Sequence, residues 1–480
     1  MKDLENASQP VDPAARLEQA DSTDGAHTPH ADPETLRKAT FAGFAGTVVE
    51  WFDFAVYGFM APIIAQTFFR SEDPVVALLQ TFAVFAVAFA LRPLGGAFFG
   101  VLGDKIGRKR VLIITVLLMS ASTAAIGVLP SYEQIGIWAA VLLTLARCLQ
   151  GLSAGGEYAG AVTYVIEHAP SHQRARWGSA MPTATFSAFA AAAALSFLLS
   201  AGLGEAAMNE WGWRIPFLVA APLGLIAFWI RRRLQESPLF QEVQDAPEQA
   251  VHAPLRTTLR EQARPMLILG GYISLTALSF YIFSTYMTTF LREVVGLDAT
   301  PVLLSNVIAL SCAAVLAPFI GVICDRVGRR RTMFASAALL ALTAVPGYMI
   351  VSSETFIGAL SGQLMIMVGT VTANVVTAVL LTEVFPTRVR YTASAVTYNI
   401  SYAVFGGTAP FVATWLIDIT GQPIAPAVYL SVIAIGAFCA TLMMPETSGR
   451  RLGVGVDEEA ITSSIPKVGK PATTAARRPE

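Results

Sequence analysis

Residues 100–110 read GVLGDKIGRKR, and residues 321–331 read GVICDRVGRRR. The two stretches align residue by residue at an offset of 221, and glycine, aspartate, glycine and arginine recur at matching positions. Each stretch follows a long apolar run. Basic residues after a hydrophobic segment are explained by membrane topology alone, but agreement at all of these positions indicates an internal duplication.

The composition around these stretches excludes a water-soluble protein. Of 480 residues, 54% are apolar and 14% are charged, whereas soluble proteins carry charge on about a quarter of their residues. The first 38 and last 36 residues are polar, and the middle of the chain is almost purely apolar. A polytopic helical membrane protein remains, and its net charge of −1 gives no reason to expect nucleic-acid binding.

Apolar windows between charged residues or Pro/Gly breaks predict the membrane-spanning helices. A helix needs about 20 such residues, because it crosses about 30 Å of hydrocarbon at 1.5 Å per residue. Twelve windows satisfy this requirement, and we number them spans 1 to 12. We therefore expect an all-α membrane protein with two six-helix halves. The windows are 41–64, 76–101, 111–130, 135–159, 178–201, 213–232, 266–290, 302–324, 332–352, 356–383, 392–418 and 423–444.

The polar segments define the expected domain boundaries. We expect a disordered cytoplasmic tail over 1–39, a first half over 40–232, a cytoplasmic linker over 233–264, a second half over 265–444 and a cytoplasmic tail over 445–480. The even-numbered connections hold eighteen Lys and Arg residues, and the odd-numbered ones hold two. The excess of positive charge predicts that both termini lie in the cytoplasm of a multi-pass protein of the plasma membrane.

The repeated stretches resemble the loop signature of the major facilitator superfamily, G-x-L-x-D-x-x-G-R-[KR]. Further motifs, over about residues 40–450, resemble the metabolite:proton symporter family within it. Pro445-Glu446-Thr447 also resembles sugar porters, but these do not share the start of span 1. The motifs of the symporter family are Gly46–Phe54 in span 1, Arg147–Tyr158 in span 4, Asn209–Phe217 at span 6 and Phe385–Tyr391 after span 10.

The resemblance implies proton-coupled import of a small carboxylated metabolite by alternating access, by a monomer in the lipid bilayer without a cofactor. Members of the family take up proline and betaine, 2-oxoglutarate, citrate and related acids. A di- or tricarboxylate symporter and an uncoupled facilitator of the same fold remain alternatives. An enzyme is not expected, because the chain contains neither a His-Glu-x-x-His zinc motif nor a nucleophile elbow.

Ionisable residues within the predicted spans mark the candidate site. Each costs about 2.5–3.5 kcal/mol at the centre of a membrane helix, so each needs a functional or structural reason. Glu50, Asp53 and Tyr57 share one face of span 1, because their spacings are three and four. We expect Asp53 or Glu50 to carry the coupled proton, and the sequence leaves open which of the two does so.

The predicted substrate site adds residues of spans 2, 4 and 11. Arg147 is expected to bind a substrate carboxylate, because its planar guanidinium matches that group. The alternative is that the two deep arginines only form structural ion pairs with the acids of span 1. Aromatic faces on span 11 are suited to a quaternary ammonium group. The predicted substrate-binding residues are Arg147, Gln150, Tyr57, Tyr158, Arg92, Tyr398 and Tyr402.

The charges also predict a gate and a class of substrate. Asp104 and Arg108, with Asp325 and Arg329 of the second repeat, are expected to hold a cytoplasmic gate through contacts present in one conformation only; simple topology anchoring is the alternative. The positive charges of Arg92 and Arg147, deep in the predicted spans, balance the negative charges of Glu50 and Asp53. A zwitterion such as proline or glycine betaine adds no net charge to that balance, so it is favoured over a dicarboxylate.

Overall fold

The computed structural model describes residues 33–106, 108–155, 157–233, 255–387, 389–450 and 452. Within these ranges all regular elements are helical. In this described part of the chain, nine helices are long and apolar enough to cross a membrane, one further helix pair is bent by 63°, and two shorter apolar helices remain. Together these helices occupy the twelve predicted windows.

In the first half, span 1 is the bent pair, and span 4 is also interrupted. Short helices at Tyr132–Ile135, Ser171–Gln173 and Arg174–Gly178 and a π-helical turn at Met208–Gly212 connect the longer helices. Spans 1 to 6 comprise Pro33–Phe59 with Ala61–Phe68, Pro74–Ile106, Arg108–Val128, Ile137–Ser153 with Glu157–His168, Ala180–Ala207, and Arg214–Arg233.

In the second half, spans 7 and 11 contain π-helical turns, which are frequent at functional sites. A short helix, Leu255–Glu261, precedes span 7. Span 7 runs from Ala263–Tyr281 through Ile282–Tyr286 and Met287–Thr289 to Phe290–Val294, and span 11 combines Arg390–Ser401, Tyr402–Gly407 and Ala409–Thr420. Spans 8, 9, 10 and 12 are Ala299–Val327, Arg329–Val351, Phe356–Glu383 and Ala425–Leu442.

Two of the sequence predictions about helix ends are wrong. Span 4 does not end at residue 159, because its second part continues to His168 after a break that follows Ser153. The repeated stretches are not open loops, because helix continues to Ile106 in the first and to Val327 in the second. Only Gly328 separates spans 8 and 9, and its φ of 100° is one that glycine adopts without strain.

The two halves meet along several pairs of spans. Span 1 packs on span 7, span 2 on span 11, span 4 on span 10 and span 5 on span 8. Spans 3 and 6 pack on each other, as do spans 9 and 12, away from this interface. Large apolar side chains such as Leu342, Phe98 and Ile357 are more than 60% exposed. Such wide apolar exposure would cause aggregation in water and suits a lipid environment.

The predicted tails and linker lie largely outside the described residues. This applies to residues 1–32, 234–254 and 453–480. The described start of the C-terminal tail, residues 445–450 and 452, packs against the helices at the end of the bundle where residues 325–331 lie. We call this end the motif end.

Candidate functional site

The two carboxylates of span 1 are buried at the centre of the first half and have different partners. Glu50 is 4% exposed and Asp53 is 1% exposed. Glu50 Oε1 accepts a hydrogen bond from Arg92 Nη2 at 2.8 Å, which forms a buried ion pair between spans 1 and 2. This contact agrees with the structural interpretation of Arg92 in its present conformation.

Asp53 is linked to span 4 through neutral side chains. Its Oδ2 accepts from the Thr123 hydroxyl at 3.0 Å, and that hydroxyl accepts from Gln150 Nε2 at 2.8 Å. Gln150 Oε1 in turn accepts from Arg147 Nη1. Asp53 Oδ1 has no hydrogen-bond partner in the described part of the chain. Thr123 completes this hydrogen-bonded chain, and it was not predicted as a site residue because threonine is common in apolar helices.

Arg147 is fully buried and is held by a ring and an amide. Its guanidinium carbon lies 3.5 Å from the centroid of the Tyr57 ring, and the Tyr57 hydroxyl donates to the Thr81 carbonyl at 2.9 Å. Among the described residues no carboxylate lies within ion-pair distance of Arg147. A direct structural pair between Arg147 and Asp53, one of the predicted alternatives, is therefore absent from this conformation.

Small residues on span 4 allow the backbone of this span to approach that of span 2. A Cβ at Gly151 would lie 2.0 Å from the Ala88 carbonyl oxygen, and one at Gly155 would lie 2.2 Å from the Arg92 carbonyl oxygen. The backbones of spans 2 and 4 are therefore in direct contact, which small residues at a helix interface in a membrane permit. This contact fixes Arg92 beside the break in span 4.

An aromatic layer from both halves covers Arg92 at the interface. The guanidinium carbon of Arg92 lies 4.6 Å from the Phe54 ring centroid and 5.5 Å from that of Trp51. The Tyr158 ring of span 4 stacks on Tyr398 of span 11 with centroids 4.9 Å apart, and Tyr398 stacks on Tyr402 at 4.1 Å. Three of the four predicted tyrosines, Tyr158, Tyr398 and Tyr402, are thus brought together in one cluster, whereas Tyr57 lies on Arg147.

Trp51 is the centre of this layer and was not predicted as a site residue. Its ring lies 5.9 Å from Tyr158, 6.2 Å from Tyr402 and 6.5 Å from Tyr281, measured between centroids. Its position directly after Glu50 in the motif of span 1 was the available signal. The indole Nε1 is buried without a hydrogen-bond partner among the described residues, so a polar donor faces the interior of the cluster.

The motif end is closed by a network of charged groups. Asp325 accepts the backbone N–H groups of Ala175 at 3.0 Å and Arg176 at 2.8 Å, where a negative charge complements the start of a helix. Arg329 pairs with Asp325 at 3.1 Å and binds both carboxylate oxygens of Glu383 at 3.1 Å. Asp325 thereby joins the second half to the first. The side chains of Asp104 and Arg108, the other predicted gate residues, lie outside the described residues.

The segment after span 12 belongs to the same network. Glu446 accepts the backbone N–H of Arg329 at 2.8 Å and of Arg330 at 3.1 Å, at the start of span 9. Arg174 of the first half donates to the Arg450 carbonyl at 2.7 Å. The chain after span 12 therefore crosses the interface between the halves, a contact that was not predicted from the sequence.

On the side of the central site away from the motif end, helices of the two halves are also in close contact. A Cβ at Gly58 of span 1 would lie 2.3 Å from Thr285 Cγ2 of span 7, and one at Gly407 of span 11 would lie 2.5 Å from the Phe89 Cβ of span 2. A cavity of about 350 Å³ lies further out between spans 1, 5, 7 and 8. Contacts at both ends enclose the central residues, so this conformation is occluded.

Comparison with known proteins identifies the family. The family model described as Major Facilitator Superfamily matches residues 43–407, and it also matches 304–479. The chain belongs to the major facilitator superfamily. Membership of the major facilitator superfamily confirms the predicted fold class, and it makes the chain a multi-pass membrane transporter of small molecules and not an enzyme.

Two curated relatives are similar to this chain over most of its length. The glycine betaine/proline/ectoine/pipecolic acid transporter OusA of Dickeya dadantii is 38% identical over 429 residues, covering 88% of this chain and 85% of the relative. The proline/betaine transporter of Escherichia coli K12 is 38% identical over 429 residues, covering 88% of this chain and 86% of the relative.

Solved structures of the superfamily share the fold. The proton:xylose symporter XylE bound to 6-bromo-6-deoxy-D-glucose superposes with a TM-score of 0.70 at 17% identity, covering 89% of this chain and 98% of that one. A partially occluded inward-open structure of XylE from E. coli gives a TM-score of 0.69 at 18% identity, covering 87% of this chain and 99% of that one.

Proposed function

We propose that this chain is a proton-coupled symporter that imports a small zwitterionic osmolyte, proline or glycine betaine, by alternating access. Relatives that are 38% identical carry the names of proline and betaine transporters. The observation that carries the proposal is the buried central site, where two arginines, two carboxylates and aromatic rings from both halves lie together.

The balance of charge at the site favours a zwitterion. Arg92 and Arg147 offset Glu50 and Asp53, and all four side chains are at most 4% exposed. Burying a further net charge is costly unless that charge is paired. A zwitterion adds no net charge to the site. A dianion adds two negative charges, and each of them needs a positive charge, from an arginine such as Arg147 or from a cotransported proton.

The aromatic layer supplies a surface for the cationic end of the substrate. A quaternary ammonium group cannot donate hydrogen bonds, but it is attracted to the faces of Trp and Tyr rings. Trp51, Tyr158, Tyr398 and Tyr402 present such rings beside Arg92. A substrate with its carboxylate on an arginine would therefore have its ammonium group within reach of these rings.

The two carboxyl groups of span 1 are proposed to handle the coupled proton. They lie three residues apart and therefore on one helix face. Asp53 uses one oxygen for the Thr123 hydroxyl, so a proton on its other oxygen breaks no ion pair. Gln150 and Tyr57 are proposed to position Arg147, because they provide its hydrogen bond and its stacking surface.

The remaining proposals concern orientation and the gate. The basic residues of the even-numbered connections support a motif end that faces the cytoplasm, with both termini on that side of the plasma membrane. The ion pairs of Asp325, Arg329 and Glu383 would then have to separate from the first half each time substrate is released. No contact with another protein enters this cycle, and we propose that the monomer is functional.

Counterflow in proteoliposomes tests the substrate. Purified protein is loaded with unlabelled compound and supplied with labelled proline, glycine betaine, 2-oxoglutarate or citrate. We expect counterflow with proline and glycine betaine and weak competition by the acids. If 2-oxoglutarate or citrate blocks uptake at concentrations where proline and betaine have no effect, the dicarboxylate alternative is correct, with Arg147 as the natural second carboxylate site.

A further inference from the structure

We propose that the substrate carboxylate binds Arg92 in exchange for Glu50, and that this exchange couples substrate binding to protonation of Glu50. The inference rests on the proposed function, because it concerns a substrate with a carboxylate. It goes further by naming the arginine that recognises the carboxylate and the acid that takes up the proton at the same moment.

Arg92, and not Arg147, faces the interface between the halves. A small cavity of about 10 Å³ is lined by Arg92 and Tyr158 of the first half and by Tyr398 and Asn399 of the second. The hydrogen-bond partner of Arg147 is Gln150, and the rings nearest its guanidinium belong to spans 1 and 2. A substrate held between the halves therefore meets Arg92 first.

Arg92 also has hydrogen-bonding capacity that its present partner does not use. Its single hydrogen bond to Glu50 comes from Nη2. Nε and Nη1 are buried and have no hydrogen-bond partner among the described residues. Buried donors without acceptors are unfavourable, and a guanidinium binds a carboxylate best through two parallel hydrogen bonds. A substrate carboxylate at Arg92 would satisfy donors that Glu50 leaves unused.

The exchange gives a direct reason for coupling. Two ionised carboxylates compete for one buried guanidinium, and a buried carboxylate that loses its ion-pair partner is costly to keep ionised. When the substrate carboxylate takes Arg92, the arginine charge no longer stabilises ionised Glu50, so a proton from the outer side binds a Glu50 oxygen. When that proton leaves toward the cytoplasm, Glu50 regains Arg92 and displaces the substrate. Proton and substrate thus bind together and leave together.

Among the residues that the structure describes, the other titratable groups near Glu50 do not provide this exchange. Glu50 interacts by charge with Asp53 of span 1, Tyr158 of span 4 and Tyr281 of span 7. Its ion-pair partner is Arg92 of span 2. Tyrosine hydroxyls are ordinarily neutral at physiological pH. Asp53 is the other acid in this set, and its hydrogen bond is to Thr123 and not to Arg92.

Equilibrium binding to the purified full chain tests the proposal. Glycine betaine is compared with choline, which carries the same trimethylammonium group but no carboxylate, in wild-type protein and in Glu50→Gln, over a range of pH. We expect wild-type affinity for betaine to fall at least about tenfold as pH rises, because ionised Glu50 competes for Arg92, while choline shows no such change. In Glu50→Gln the affinity for betaine should be independent of pH and should exceed that of the wild type at alkaline pH.

The outcomes separate the exchange from the proposed function. A betaine-binding wild type whose pH dependence persists in Glu50→Gln, or is equally strong for choline, contradicts the exchange alone. A wild type that binds 2-oxoglutarate but neither betaine nor proline contradicts the proposed substrate. The comparison of betaine with choline in the wild type needs no variant, so the exchange stays testable even if Glu50→Gln does not fold.

Discussion

At the scale of single residues, the two buried arginines differ in what holds them. Arg92 makes an ion pair and lines the interface between the halves. Arg147 is stacked on Tyr57 and bonded to Gln150 inside the first half. The same substitution at each position should therefore change a different step of transport, although both side chains are fully buried and have the same charge.

Replacement of each arginine by lysine separates recognition from positioning. Arg92→Lys should weaken betaine binding at least about tenfold, or about 1.4 kcal/mol, because a point ammonium cannot form the paired hydrogen bonds to a carboxylate. Arg147→Lys should leave the affinity within about threefold and lower the transport rate at least about tenfold, because the contacts with Tyr57 and Gln150 are lost. Equilibrium binding and initial transport rates, measured on both variants, test this difference. If Arg147→Lys lost affinity and Arg92→Lys kept it, Arg147 would be the carboxylate ligand.

Asp53 is the residue whose charge can be removed with little change in shape. Asparagine at this position can still accept from Thr123, which bonds Asp53 Oδ2 at 3.0 Å, but it cannot take up a proton. Because both carboxyl groups of span 1 are proposed to handle the coupled proton, and Glu50 alone is proposed to exchange with substrate, we expect Asp53→Asn to abolish accumulation driven by a proton gradient and to retain counterflow. Both assays use the same proteoliposomes. Concentrative uptake by Asp53→Asn would show that Asp53 does not take part in coupling.

Residue types and spacing predicted the acids, arginines and tyrosines of the site, because ionisable groups are rare in apolar helices. Their pairing was not predictable. Thr123 and Trp51 are residue types that are ordinary in membrane helices. Only the fold places Thr123 between Asp53 and Gln150, and only the fold places Trp51 among tyrosines from three spans. Glu383 was missed because it is the last residue of span 10 and its partner Arg329 lies on another span.

At the scale of elements, the break in span 4 has a structural consequence. Helix stops after Ser153 and resumes at Glu157, so the carbonyl of Gly155 is available to the other half. Asn399 of span 11 donates to that carbonyl at 2.9 Å. Apolar periodicity gave no warning of this break, because glycine and alanine are tolerated in membrane helices and the window stays hydrophobic across it.

The contact between spans 2 and 4 depends on the absence of a side chain at Gly151. A methyl group there would lie 2.0 Å from the Ala88 carbonyl oxygen, whereas one at Gly436 in span 12 would have no atom within 4 Å. We expect Gly151→Ala to lower stability by about 1–3 kcal/mol, as overpacking does, and to reduce transport. Thermal unfolding in detergent measures the first effect. Gly436→Ala is the matched control and should behave as wild type; equal stability of the two variants would contradict direct backbone contact between spans 2 and 4.

At the scale of the whole molecule, the duplication and the hydropathy predicted the architecture. Each span is a local property of about 20 residues, and the repeat of residues 100–110 at 321–331 relates the halves. The interface between the halves was not predictable in this way. It depends on pairs such as Asp325 with the backbone of Ala175 and Arg176, which are far apart in sequence and meet in a particular conformation.

The central claim is that a proton gradient drives concentration of a zwitterion through this site. The direct measurement is uptake of labelled glycine betaine into proteoliposomes whose interior is more alkaline than the medium, with and without a protonophore. The account predicts an internal concentration above the external one that collapses to equality when the protonophore is added. Uptake that stops at equal concentrations whether or not the gradient is present would contradict coupling and would make the protein an uncoupled facilitator.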